Sequence, residues 1–86
     1  MSEDSKIAQE AILEAVENQL KDNNPPITQK TYQRLKSEGL SSKEAKKLIS
    51  YVLANEIAEV LDNKEPFNLE RYTQNLNNLP DTPWDE

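Results

Sequence analysis

The sequence contains no cysteine and no histidine. Without cysteine there is no disulfide, no thiolate nucleophile and no thiolate metal ligand. Without histidine the chain lacks the usual general base near neutral pH and the commonest transition-metal ligand. Glycine is reduced to a single residue, Gly39. No apolar run approaches the roughly 18 residues of a membrane span, and the first residues lack a signal-peptide core. Acidic residues outnumber basic ones 16 to 10, for a net charge of −6. Such a surface is repelled by nucleic-acid phosphates and anionic lipid, so neither is an expected partner. Together these absences predict a cytoplasmic protein that is not an enzyme and uses no cofactor.

What is present suits one small helical domain. A chain of 86 residues makes a single domain that buries about 60–65% of its unfolded surface. Only 35% of residues are apolar, but they recur at helical spacing. The charge is unevenly spread. Residues 1–26 carry six acids and two bases, residues 27–64 five and seven, and residues 65–86 five and one. The mildly basic middle either complements the acidic ends within the molecule or forms a docking patch for an acidic partner.

Four helices are predicted. The first runs from about Asp4 to Lys21, with Ile7, Ile12, Val16 and Leu20 on its apolar stripe. Asn23-Asn24 and Pro25-Pro26 stop it. The second is predicted over residues 29–37, with Thr28 as N-cap and Gly39 supplying the positive φ of its exit. Ser41 and Glu44 have the spacing of a capping box, and open a long third helix to about Asp62. Its apolar arc through Leu48, Ile49, Val52, Leu53, Ile57 and Leu61 is broad enough for a central helix packed on two sides. Asn63 is its predicted C-cap. Asn68 caps a short fourth helix over residues 69–77, and Pro80 ends it. The domain organisation is thus a disordered N-terminus over 1–5, one helical domain over 6–79 and an acidic tail over 80–86 that holds the only tryptophan, Trp84.

Chemistry is weakly signalled. Glu10, Glu14 and Glu17 lie one turn apart on the first helix, and Glu56 and Glu59 lie on the third. A di-metal centre in a helical bundle needs Glu-x-x-His pairs, so the acids read first as a solvated face, with Glu17 and Glu56 the weak metal candidates. Ser41 and Ser42 have no base to activate them. Lys43, Lys46 and Lys47 occupy the first two turns of the third helix, where cations oppose the macrodipole. Glu44 offsets part of this cost, which leaves the cluster a weak candidate for an anion or acidic-partner site. Trp84 either folds onto the bundle, remains mobile or serves as a short docking motif.

One pattern is more specific. The run Ala15-Val16-Glu17-Asn18-Gln19-Leu20, four residues before Pro25-Pro26, resembles a family of small uncharacterised bacterial all-helical proteins. So does Arg34-Leu35 with Gly39-Leu40-Ser41, Glu44-Ala45, Ile49 and Val52-Leu53, so the resemblance covers residues 8 to 72 approximately. It implies a His-x-x-x-His pair on each long helix, forming a metal-like cluster across the bundle. The matching positions here are Gln9 and Leu13, and Lys43 and Lys47, none of which supplies an imidazole. Glu17, Gln19 and Glu56 are the matching polar positions that remain.

The expected architecture is an all-α, four-helix domain, with two long helices roughly antiparallel and two short ones as connector and lid. The core is predicted at Ile7, Ile12, Val16, Leu20, Leu35, Leu48, Ile49, Val52, Leu53, Ile57, Leu61, Tyr72 and Leu76. The leading functional reading is a non-enzymatic protein-interaction or regulatory module, with a protein partner or a homodimer. The alternative is a degenerate metal-binding or metal-dependent enzyme-like domain using carboxylates.

Overall fold

The computed structural model describes residues 2–81, with side chains from residue 8 onward. Trp84 and the rest of the tail beyond Asp81 lie outside the described residues, as does Met1. Among the described residues the chain is four helices and no strand: α1 Ser2–Asp22, α2 Pro26–Ser37, α3 Ser42–Asn63 and α4 Leu69–Asn78. The prediction of a small all-α domain holds.

The connections explain the boundaries. Asn23 takes a left-handed φ of 52° after α1. The Asn24 N–H then reaches back to the Gln19 carbonyl at 3.1 Å. α2 begins at Pro26, three residues before its predicted start, because a proline at the first helical position has its φ already set and no N–H to satisfy. Thr28 is therefore not the N-cap. It is buried inside α2. At the far end of α2, Gly39 has φ +103°. The Leu40 N–H bonds to the Leu35 carbonyl at 3.1 Å, the long bond of a Schellman exit. Leu40 packs against the core that contains Leu35. The Ser41–Glu44 capping box is present in both directions, at 3.1 and 3.0 Å. Lys64 with φ 53°, not Asn63, caps α3. Asn68 caps α4 by accepting from the Arg71 N–H at 2.9 Å.

α3 touches each of the other three helices, as a central helix should. It runs antiparallel to α1: Lys46 meets Glu17 near one end, while Ala54 lies across from Ala8 and Ile12 near the other. The core comprises Val16, Leu35, Ala45, Ile49, Val52, Leu53, Tyr72, Leu76 and Leu79. Ile12, Leu20 and Leu48 pack against it half-buried. The side chain of Ile7 is outside the described set.

Two predicted core positions are not core. Ile57 is 36% exposed and Leu61 71% exposed. The inward line of α3 is Ala45, Ile49, Val52, Leu53 and Glu56, and Glu56 is fully buried. Successive helical residues turn by about 100°, so an inward Glu56 rotates Ile57 onto the flank and carries Leu61 further round. A carboxylate occupies the place that the apolar pattern had assigned to its neighbour.

Two polar knots fasten the bundle. Gln19 on α1 accepts through one oxygen from Thr28 of α2 at 2.7 Å and from Tyr72 of α4 at 2.9 Å. Burial pushes the Tyr72 phenol up, against the pull of its neighbours Thr28 and Gln19. In the second knot Glu56 Oε1 accepts from Arg71 Nε at 2.8 Å. Its Oε2 accepts from Arg71 Nη2 at 2.8 Å and from the Asn68 N–H at 2.9 Å. Arg71 holds the Glu56 carboxyl below its ordinary range, with burial opposing. The α4 exit is tied by Arg34, which donates to the carbonyls of Leu76 and Leu79, each at 3.0 Å.

Candidate interaction surface

Between α1 and α3 two hollows open to the surface. α1 presents Ala8, Gln9, Ile12 and Leu13 there, and α3 presents Lys43, Lys47, Ser50, Tyr51 and Ala54. A further hollow of about 330 Å³ continues over α3 between Leu40, Glu44, Lys47, Leu48 and Tyr51. Tyr51 lines all three hollows. The two hollows between α1 and α3 share Gln9, Ser50 and Tyr51 and form one groove, and the third adjoins it at Lys47 and Tyr51. Leu13 is 37% exposed on its rim.

The three lysines of α3 separate. Lys46 turns to the Glu17 side, where its Nζ donates to both carboxylate oxygens at 3.1 and 2.9 Å. The same ammonium lies 5.8 Å from the Tyr32 ring centroid, and that of Lys36 lies 5.1 Å away. The Tyr32 hydroxyl is 2.7 Å from that of Ser42. This bond, with help from the two ammonium groups, lowers the phenol from its ordinary value. Lys43 and Lys47 instead line the groove beside Gln9 and Leu13. Neither forms an ion pair with a described residue.

The carboxylates singled out in the sequence are not brought together. Glu17 sits on Lys46, and Glu56 is ten positions further along α3, a separation of about 15 Å at 1.5 Å per residue. Both Glu56 oxygens are occupied by Arg71 and Asn68. Among the described residues no cluster of three or more acids is placed to hold a metal ion. Ser41 and Glu44 are engaged in capping each other. Among the described residues no helix is long and apolar enough to cross a membrane.

Gln9, Leu13, Lys43 and Lys47 do converge, lining a single hollow. Tyr51 is the residue that sequence reasoning undervalued. It reads as a widening of the apolar arc, and only the antiparallel register of α1 and α3 makes it the centre of a surface. Arg71 was also missed, because its partner Glu56 looks solvent-facing in any count of charges. No protein-family model matches the chain, and comparisons with curated proteins and with solved structures give no significant match.

Proposed function

We propose that the protein is a non-enzymatic interaction module that binds a protein partner through the α1–α3 groove. The observation that carries this reading is the convergence of three open hollows on Tyr51, lined by apolar Ile12, Leu13 and Leu48 and by polar Gln9, Lys43 and Lys47. A mixed apolar and polar lining of this kind suits a protein partner. The residue types also favour binding over catalysis. No imidazole or thiol is available anywhere in the chain, and the two hydroxyls singled out as nucleophiles are spent on capping and on Tyr32.

The kinship with the small bacterial helical family is part of the proposal. The four positions at which the resemblance implies histidines line one hollow here, which is what a shared scaffold requires. Two ammonium groups, an amide and an isobutyl group stand in that hollow. They repel a divalent cation, so the surface is read as one that binds a protein where the relatives would hold a metal.

Site-specific photo-crosslinking tests the reading. A benzophenone amino acid is placed at Gln9, inside the groove, and as a control at Gln33, exposed on α2. The expected result, on irradiation of cells, is a discrete protein adduct from position 9 and none from position 33. The same products from both positions, or none from either, would remove the interaction reading.

A further inference from the structure

We propose that the occupant of the groove is an acidic amphipathic helix presented by a partner protein; this deepens the interaction reading and rests on it. The argument begins with charge. In a protein of net charge −6, Lys43 and Lys47 stand one turn apart on one wall of the groove with no described acid paired to either. Lys43 lies in the first turn of α3, where the helix dipole already raises the positive potential and a cation destabilises the helix, and Lys47 stands one turn beyond it. A carboxylate seated there is attracted by both ammonium groups and relieves the conflict of Lys43 with the dipole. Glu44, the acid on the adjoining hollow, has one oxygen committed to the Ser41 N–H.

Geometry narrows the ligand. Lys43 and Lys47 are about 6 Å apart along the axis, the interval between acids at positions i and i+4 of a facing helix. Beside them the groove is lined by apolar Ala8, Ile12, Leu13, Tyr51 and Ala54, with Gln9 and the buried Ser50 as its other polar members. A facing helix therefore needs apolar residues on the stripe next to its acids. A phosphate polymer or an anionic bilayer would meet the same two lysines but also the surrounding acidic surface, which repels extended polyanions.

The test uses the full chain as bait, biotinylated at an introduced Gln33→Cys, against a phage-displayed library of random peptides about 16 residues long. The expected outcome is enrichment of peptides with acids spaced by four next to an apolar helical stripe. The best such peptide, made synthetically, is expected to shift the amide resonances of Gln9, Lys47 and Tyr51. It should bind roughly tenfold or more weakly to the Lys43→Glu/Lys47→Glu variant, and more weakly as salt rises. The Lys43→Gln/Lys47→Gln variant gives an intermediate loss, and unchanged melting of both variants excludes unfolding. Uncharged or basic peptides seated in the same groove would overturn the acidic occupant and leave the interaction surface. Peptides that map elsewhere, or no enrichment above an unrelated bait, would overturn both. A concentration-dependent dimer with its contacts in the groove would put a second copy there and likewise overturn the proposal.

Discussion

Glu56→Gln is the substitution that probes the fold most sharply. The wild-type carboxylate is fully buried and accepts three hydrogen bonds, two from Arg71 and one from the Asn68 N–H. Glutamine keeps the shape and can still accept from Asn68. Its amide nitrogen, however, points a donor at the guanidinium, so at least one charge-assisted bond becomes a donor–donor clash. Bonds to charged groups contribute about 1.5–3 kcal/mol each, and breaking a buried ion pair costs about 3–5 kcal/mol. The Arg71 side chain is 29% exposed and can turn to water, which places the loss at the lower end, about 2–3 kcal/mol. Against a total of about 4–13 kcal/mol for a chain of this length, that is a large fraction. Urea denaturation at neutral pH should show it, as should a melting point lower by about 10–20 °C.

The pH dependence carries its own sign. Because Arg71 holds the folded Glu56 carboxyl below its unfolded value, its contribution is complete above the unfolded pKa, about 4.3. It is lost as pH falls through the lower folded value. The gap between wild type and Glu56→Gln is therefore constant above about pH 5 and closes in more acidic solution. A loss below about 0.5 kcal/mol at neutral pH, or a gap that widens on acidification, would refute the reasoning.

Three further substitutions test separate parts of the structure. Gln19→Leu removes the acceptor shared by Thr28 and Tyr72; a loss of about 2 kcal/mol and a melting point lower by about 10 °C are expected by calorimetry. The Thr31 hydroxyl is buried without a hydrogen-bond partner, so Thr31→Val should stabilise by about 1 kcal/mol in the same assay, and a loss of stability would show that the hydroxyl is bonded. Leu61, 71% exposed, should tolerate Leu61→Ser within about 0.5 kcal/mol in urea, whereas a loss above about 2 kcal/mol would return it to the core.

Much of the fold was legible because capping chemistry is local. Ser41 with Glu44, Gly39, Asn68 and the Asn23–Pro26 stop each act within a few residues, and the sequence alone places them well. Thr28 failed as a cap because Pro26 opens α2 two residues earlier, and its hydroxyl instead serves a long-range bond to Gln19, which no local pattern reveals. Ile57 and Leu61 failed for a related reason. Periodicity counts apolar residues, and a buried Glu56 held by Arg71 fifteen positions later rotates the true inward line by one residue. The motif around Val16 changes meaning in the same way: Val16 is core, Glu17 holds Lys46, and Gln19 ties three helices. Those positions are therefore explained by the scaffold. The groove was the least legible part, since Gln9, Leu13, Lys47 and Tyr51 become neighbours only through the antiparallel packing of α1 on α3.

The central claim is that this groove is a working surface and not just a seam between helices. The most direct measurement is the yield of the photo-crosslinked adduct from position 9 with and without Leu13→Arg. Leu13 is a partly exposed rim residue, so the substitution should leave the melting point within about 4 °C of the parent, under about 1 kcal/mol. Near-complete loss of the adduct at that preserved stability is the predicted result. An undiminished adduct from the folded Leu13→Arg protein would contradict the account.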